Sequence, residues 1–306
     1  MTTPYLIYGA YGYTGDLIAR EAVRRGQRPV LAGRNAEAVR ALAAELALEH
    51  RAFALDDARA VDEALSGMKA VLHCAGPFVR TSKPMADACL RVKAHYLDVT
   101  GEIDVFERLA ARNAEAAASG VMLLPGVGFD VVPTDCLAAH LKRRLPTATR
   151  LVLAFHSVGG LSRGTATTMI ENMHRGGLIR RDGLLTPVPA GWKTRTVDFG
   201  RGPRTVVSIP WGDVATAYYS TGTPNIEVYT TATWPLRLTM RASRLLRPLL
   251  ASAAVQAFLT QRVRAGAPGP TAEQRARGRT VVWGEATDKA GGRAVSRHVG
   301  RMYRYT

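Results

Sequence analysis

The first 146 residues alternate short apolar runs with amphipathic helical patterns, and this alternation constrains the fold more than any other feature. A chain in which each strand is followed by a helix predicts a parallel, doubly wound sheet with helices on both faces. The apolar runs occupy residues 5–9, 28–32, 51–55, 70–75, 95–99 and 121–126, and the helical patterns occupy residues 14–25, 36–48, 58–66, 82–93 and 103–119. A helix with Pro133 in its first turn closes this predicted α/β domain, residues 1–146.

After Pro146 the sequence changes to β-rich segments with partial alternation, which predicts an α+β domain with a mostly antiparallel sheet at residues 147–306. A helix at 164–175 interrupts the strands, and a Ser/Thr/Gly-rich segment at 159–168 either opens that helix or closes over a ligand. A basic helical region then runs from Pro235 to about Arg264. We expect this second domain to shape a substrate site or a dimer contact.

The segment GAYGYTG lies between the first predicted strand and the first predicted helix. Glycines at such a place let the chain turn tightly and let the backbone approach a pyrophosphate, which the amide groups of the helix N-terminus then bind. The segment therefore predicts a Rossmann-type dinucleotide site. Its candidate residues are Gly9, Tyr11, Gly12, Tyr13, Thr14 and Gly15.

Arg34 follows the second predicted strand, 19 residues after Gly15, where dinucleotide-binding domains place the residue that reads the adenosine ribose. A guanidinium there can pair with a ribose 2′-phosphate, which an acidic residue would repel. Asn35 can cap the next helix and also bind that phosphate. We therefore predict NADP(H) as the cofactor.

Two more loops follow predicted parallel strands, at the sheet edge where open α/β sheets bind ligands. Ala75, Gly76 and Pro77 lie in the first, where the backbone could contact the cofactor. Thr100 and Gly101 lie in the second, near the expected nicotinamide. Glu102 is either part of that site or an acidic residue in the first turn of a helix, and the second interpretation is favoured.

The catalytic candidates are Asp130, which has no evident structural role, and Tyr219, from a segment that also carries Asp213 and Tyr218. Asp135 is interpreted as a helix N-terminal acid. The sequence lacks the Tyr/Lys pair of short-chain dehydrogenases and any metal-ligand spacing. It does not indicate which group would donate a proton during hydride transfer.

The net charge of +16, with only six lysines among 41 basic residues, favours anionic partners or reflects a bias toward arginine. In the basic helical region, one face carries Arg237, Arg241, Arg244 and Arg247, and the other carries Leu238, Leu245, Leu246 and Leu249. The leucine face either packs on the domain, the favoured interpretation, or docks on an anionic membrane. Pro248 must kink or split the helix. We expect no nucleic-acid partner, because no reader motif is present.

The combined motifs GAYGYTG, LAGRN, CAGPF, HYLDVTGE, PGVGFDVVPTD and GPTAEQRARGR resemble the saccharopine-dehydrogenase-like oxidoreductases, in particular the branch that includes trans-acting enoyl reductases. The resemblance implies an NADPH-dependent enzyme that transfers a hydride to a C=N, C=C or C=O bond of a small or lipid-linked (acyl) substrate. The alternative is a non-catalytic NADP(H)-binding or sensor protein.

Two further expectations concern the location of the protein and the end of the chain. Three cysteines without pair-like spacing, no export signal and no membrane-length apolar run predict a cytoplasmic protein, peripheral at the membrane if the leucine face docks there. The segment after Arg297 departs from the family pattern and predicts a frayed or strand-like end without the family's last helix. We expect that end to favour a homo-oligomer.

Overall fold

The computed structural model describes residues 4–158 and 162–301, which divide into two compact units at Gly128 and Phe129. The first unit contains a six-stranded, entirely parallel sheet of order β3-β2-β1-β4-β5-β6, as the alternation predicts. Its strands are β1 (Tyr5–Tyr8), β2 (Val30–Gly33), β3 (His50–Ala52), β4 (Ala70–His73), β5 (His95–Asp98) and β6 (Leu123–Leu124). Its helices are α1 (Tyr13–Arg24), α2 (Ala36–Leu46), α3 (Ala58–Leu65), α4 (Phe78–Val92), α5 (Ile103–Ala110) and α6 (Asn113–Ala118).

Strand β1 shows why both faces of this sheet are covered. Successive side chains of a strand point to opposite faces. Leu6 and Tyr8 enter a core on one face, whereas Ile7, between them, enters a separate core formed with residues of α1 and α2. All three side chains are almost completely buried. The doubly wound arrangement predicted from the sequence is thus confirmed.

Two helix boundaries of the first unit differ from the sequence prediction. Helix α4 begins at Phe78 rather than at residue 82, because the Glu102 carboxylate accepts hydrogen bonds from the amides of its first two residues. Pro84 consequently lies inside the helix. The predicted helix 103–119 is two helices, since the backbone at Arg112 leaves helical geometry and its guanidinium pairs with Asp87 at 2.6 Å.

The second unit contains an eight-stranded mixed sheet of order β10-β11-β12-β7-β13-β14, in which β8 also pairs with β12 and β9 pairs with β8. All its pairs are antiparallel except β7 with β12. Its strands are β7 (Arg150–Val158), β8 (Gly177–Arg181), β9 (Leu184–Val188), β10 (Thr194–Asp198), β11 (Pro203–Ser208), β12 (Asn225–Thr231), β13 (Arg279–Thr287) and β14 (Arg293–Arg301). Its helices are α7 (Val132–Arg144), α8 (Arg163–Asn172), α9 (Asp213–Thr221), α10 (Trp234–Leu245), α11 (Arg247–Leu250), α12 (Ala253–Ala265) and α13 (Ala272–Arg277).

Helix α7 belongs to the second unit, although the sequence boundary at residue 146 placed it in the first. It packs on strand β13 at Gly284, where an added Cβ would lie 2.6 Å from Leu141 Cδ1 and 3.2 Å from Leu137 Cδ2. A glycine in a strand interior marks such a close approach. The second unit therefore begins before the helix.

The basic helical region is divided near Pro248, as predicted, into α10, the single turn α11, and α12. Its leucine face does not pack on the domain, which corrects the favoured prediction. Leu238, Leu245, Leu246 and Leu249 are 52%, 86%, 48% and 55% exposed. Helix α10 instead turns Met240 toward the body, where its Cβ lies 3.4 Å from the place of a Cβ on Gly191.

The last described residues of the chain form a strand. Strand β14 pairs with β13 as far as Arg301, so residues 297–301 form a strand end, and residues 302–306 lie outside the described part of the chain. Among the helices of the described residues, none combines the length and the hydropathy needed to cross a bilayer.

Candidate nucleotide-binding site

Gly9 and Gly15 shape the loop between β1 and α1, and both are required by the protein itself. Gly9 has φ +80°, and a Cβ there would lie 2.9 Å from the backbone nitrogen of Ala75. A Cβ on Gly15 would lie 2.3 Å from the carbonyl oxygen of Gly9. These contacts involve backbone atoms that cannot move aside. The two glycines therefore let the loop pass close to the end of β4 and let α1 start beneath it.

Gly12 is different, because the protein alone does not demand a glycine there. Its φ of −74° and ψ of 162° suit any residue, and an added Cβ would meet only the Gly9 carbonyl oxygen, at 3.2 Å. Gly12 is the N-cap of α1 and provides no side-chain acceptor for the first-turn amides. Bare backbone at the positive end of a helix fits an approaching pyrophosphate. Tyr13 and Thr14, partly exposed, form the first turn beside it.

Arg34 lies directly after β2, and its side chain is exposed. Within residues 4–158 and 162–301 its guanidinium makes no hydrogen bond or ion pair, so it can receive an anion without first giving up a partner. Asn35 caps α2, accepting from the Ala38 amide at 3.0 Å. The Tyr11 ring lies over Gly33, where an added Cβ would come within 2.6 Å of it. The Gly-rich loop and the end of β2 thereby form one surface that combines an aromatic ring with a cation.

The loop after β4 carries Ala75, Gly76 and Pro77, and the bond between the last two is cis. The Thr81 hydroxyl donates to the carbonyl of Ala75 at 2.7 Å and to that of Pro77 at 3.1 Å. Gly76 is exposed at the edge of the sheet. The backbone predicted to contact a cofactor is thus held in place and left open at its middle residue.

Glu102 explains how this loop is connected to the loop after β5. Its carboxylate accepts from the amides of Phe78 at 2.9 Å and Val79 at 2.8 Å, and it is 7% exposed. Glu102 is also the N-cap residue of α5. The carboxylate therefore stabilises a helix N-terminus, in line with the favoured interpretation. The helix that it stabilises through these bonds is α4, not α5, which begins after Glu102 itself.

Asp98, at the end of β5, organises the next loop and was not among the sequence candidates. Its carboxylate accepts from the Tyr96 hydroxyl at 2.6 Å and from the amides of Thr100 at 3.0 Å and Gly126 at 2.8 Å. Burial raises the pKa of Asp98 to about 6 against the opposing effect of these donors. Thr100 is buried and its hydroxyl accepts from the Glu102 amide, so Gly101 is the more accessible of the two predicted residues.

His73 is a fully buried imidazole at the end of β4. Its ring lies among the rings of Tyr8, Phe78 and Tyr96, and neither nitrogen has a hydrogen-bond partner among the described residues. Burial lowers the pKa of His73 to about 3. The side chain is therefore neutral and packs as an aromatic ring beneath the loop.

Asp130, in the second unit, is fixed through its backbone. The Trp211 indole donates to the Asp130 carbonyl at 2.6 Å, and the Trp211 ring packs on Phe155 with centroids 4.9 Å apart. Desolvation raises the pKa of Asp130 to about 6. A carboxyl group with that pKa can exchange a proton near neutral pH. The sequence does not single out Trp211, because the residues around it are typical of a turn.

A second carboxylate, Asp213, lies near Asp130 at the start of α9. It is completely buried, and its pKa is raised well above the usual range by burial, with the charges of Asp135 and Asp130 adding to the effect. Asp135 lies in the first turn of α7, as predicted, and accepts from the Ser220 hydroxyl at 2.8 Å. The bond between Ser220 and Asp135 ties α9 to α7.

Tyr219, the other catalytic candidate, lies on the outer side of α9 and is 51% exposed. Its ring packs edge-on against Tyr218, and the Arg180 guanidinium lies 5.9 Å from its centroid. In the segment 159–168, Ser162 caps α8 by accepting from the Thr165 amide, which is the helix-start interpretation. Residues 159–161 of that segment lie outside the described residues.

Comparison with known proteins gives a family match within the first unit. Residues 5–124 match the saccharopine dehydrogenase NADP binding domain family. A trans-acting enoyl reductase of Mycobacterium leprae is 34% identical over 184 residues, which cover 55% of this chain and 44% of that protein. A human saccharopine dehydrogenase-like oxidoreductase is 26% identical over 175 residues, covering 50% of this chain and 41% of that protein. The match thus spans less than half the length of each of these curated relatives.

A solved structure shares the fold over nearly the whole chain. It is the apo form of a saccharopine dehydrogenase (L-Glu forming) from Saccharomyces cerevisiae, with a TM-score of 0.62 at 11% identity, covering 99% of this chain and 88% of that one. The family match lies within the first unit, which holds the glycine loop and Arg34. Residues 5–124 thus match a family of NADP-binding domains, which supports NADP(H) as the cofactor, and the chain has a saccharopine dehydrogenase-like fold.

Proposed function

We propose that this protein is an NADPH-dependent reductase that delivers a hydride to a polarised double bond. The observation that carries the proposal is the combination of a loop with bare backbone at Gly12 and an exposed Arg34 at the end of β2, whose guanidinium has no partner within residues 4–158 and 162–301. The names of the relatives favour a C=C bond conjugated to an acyl carbonyl over C=N or C=O.

The protein's own residues have three tasks in this reaction. The loop of Gly9, Gly12 and Gly15 binds the pyrophosphate, and Arg34 pairs with the 2′-phosphate. The bound nicotinamide supplies the hydride. Reduction of the double bond also needs one proton, because the hydride adds two electrons and one hydrogen nucleus.

Asp130 is the candidate for the proton donor. Its pKa of about 6 leaves a fraction of the carboxyl protonated near neutral pH. Tyr219 is the weaker candidate, because half of its side chain faces solvent. If Asp130 is the donor, the rate should fall as the pH rises above about 6, and Asp130→Asn should remove that dependence.

The test is transfer of deuterium from NADPH labelled at C4, in separate preparations on each face, to a 2-enoyl thioester, an imine and a ketone, read by mass spectrometry of the product. We expect deuterium in the reduced enoyl product from one of the two labelled faces. Gly12→Val, which should bind no cofactor, is the control. Tight NADPH binding without transfer to any of the three acceptors would contradict the proposal and favour a non-catalytic NADP(H)-binding or sensor protein.

A further inference from the structure

Helices α10 to α12 lie in a stretch of unusual charge. From Val228 to Ala272 the sequence contains six arginines and no aspartate, glutamate or lysine. The arginines are at positions 237, 241, 244, 247, 262 and 264. A segment with this composition has no acid of its own to neutralise its cations, so the segment carries a net positive charge.

The same stretch exposes a row of large apolar side chains. Trp234, Leu238 and Leu245 are 66%, 52% and 86% exposed. Their spacing of four and seven residues places them within about 40° of one another around the axis of α10, given roughly 100° per residue. Leu249 on α11 and Phe258 on α12, 55% and 56% exposed, extend the apolar surface. We call these five residues the apolar row.

The apolar row is exposed although the helices that carry it are attached to the second unit. The Arg247 guanidinium donates to the carbonyl of His174 at 3.0 Å. The Gln256 amide lies 3.2 Å from His174 Nδ1 and donates to the Leu250 carbonyl at 3.1 Å. Met240 faces inward toward Gly191. The helices are thus held by their inner side, and the outer side presents tryptophan and leucine to water.

We propose that this surface binds the interface of an anionic lipid bilayer, with the apolar row inserted at the level of the headgroups. Tryptophan and leucine on one side of a helix, within a stretch of sequence that carries arginines and no acids, are the features of interfacial helices. A second copy of this chain fits less well, since a symmetric contact would oppose two sets of six arginines. An anionic bilayer offers both the apolar layer and the opposite charge.

The experiment is co-sedimentation of the full chain with vesicles of phosphatidylcholine alone and with vesicles in which about a third of the lipid is phosphatidylglycerol. We expect at least tenfold stronger partitioning to the anionic vesicles at physiological ionic strength, and a large loss of binding in concentrated salt. Leu238→Ser/Leu245→Ser should reduce this binding at least tenfold. Leu184→Ser is the matched control, because Leu184 is a 72% exposed leucine on β9, and it should change nothing.

A second measurement does not depend on the stability of the double variant. Brominated lipids in the anionic vesicles should quench the tryptophan fluorescence of the parent protein, and Trp234→Phe should remove most of that quenching. Equal partitioning to both vesicle types, or unchanged binding of the double variant with intact NADPH binding, would overturn the proposal. So would a concentration-dependent dimer without vesicles that the double variant abolishes, because the apolar row would then be a contact between copies.

Discussion

The geometry of Gly12 and Gly15 allows the phosphate-binding role of the loop to be separated from its folding role. At Gly12 a Cβ meets one atom, at 3.2 Å, and the backbone angles suit any residue. Replacing it should cost the fold about 1 kcal/mol, mainly through a weaker N-cap, which corresponds to a melting temperature roughly 4 °C lower. At Gly15 a Cβ would lie 2.3 Å from a backbone oxygen, so overpacking should cost about 3 kcal/mol or more.

For NADPH binding, the substitution at Gly12 should have the larger effect and the substitution at Gly15 the smaller one. The methyl groups of Gly12→Val would occupy the space where the pyrophosphate approaches the loop. Loss of two charge-assisted hydrogen bonds to the phosphates costs at least about 3 kcal/mol, or roughly 150-fold in the dissociation constant for NADPH. Gly15→Ala should lower the melting temperature first and affect binding only through the damaged loop.

The assay is titration with NADPH by fluorescence or calorimetry, beside thermal unfolding of the same preparations. Gly12→Val should melt within a few degrees of the parent and bind no measurable NADPH, and Gly15→Ala should melt much lower. A Gly12→Val protein that binds NADPH with the parent's affinity would show that the phosphates lie elsewhere. The reasoning about bare backbone would then be wrong.

Three further predictions concern single side chains of the first unit. Arg34→Asp should weaken NADPH binding by about 10- to 150-fold and make NADH the tighter ligand in competitive titrations, whereas equal affinities of the parent for both would refute the role of Arg34. His73→Phe should make the protein less sensitive to acid. The folded-state pKa of His73 is about 3, so the parent's free energy of unfolding falls as the pH drops below 6.5, by roughly 2 kcal/mol at pH 5. The difference between the unfolding curves of variant and parent across this pH range measures the effect. Glu102→Gln should lower the free energy of unfolding by about 1–3 kcal/mol, since one α4 amide loses its acceptor, and a lost hydride-transfer rate at unchanged stability would show instead that Glu102 acts in catalysis.

The parallel sheet and the glycine loop between β1 and α1 were predictable because local rules decide them. Strand and helix alternate at periods that differ, and a glycine loop between them has few uses other than phosphate binding. The hairpin of β8 and β9 was also readable: Asp182 and Gly183 both have positive φ, and Asp-Gly is a strong signal for a tight hairpin. The hairpin was not predicted, because apolar and polar residues show little alternation on either side of Asp182 and Gly183.

Other features depend on contacts between distant parts of the sequence. The role of Glu102 follows from amides 24 and 23 residues earlier, and that of Asp98 from an amide 28 residues later. Helix α9 was not predicted, because its sequence is typical of a loop. Burial of Asp213 and Val214, which the sequence does not indicate, accompanies the helix. The orientation of α10 was predicted incorrectly, since an amphipathic pattern shows that two faces differ but not which of them turns inward.

The carboxylate of Asp98 has a consequence for the motions of the sheet edge. One oxygen atom accepts from two amides, those of Thr100 and Gly126, which lie in loops after different strands. Neither amide can be released by rotation of the carboxylate without releasing the other. In native-state hydrogen exchange the two amides should therefore open together, with the same free energy and the same response to denaturant, as one cooperative unit.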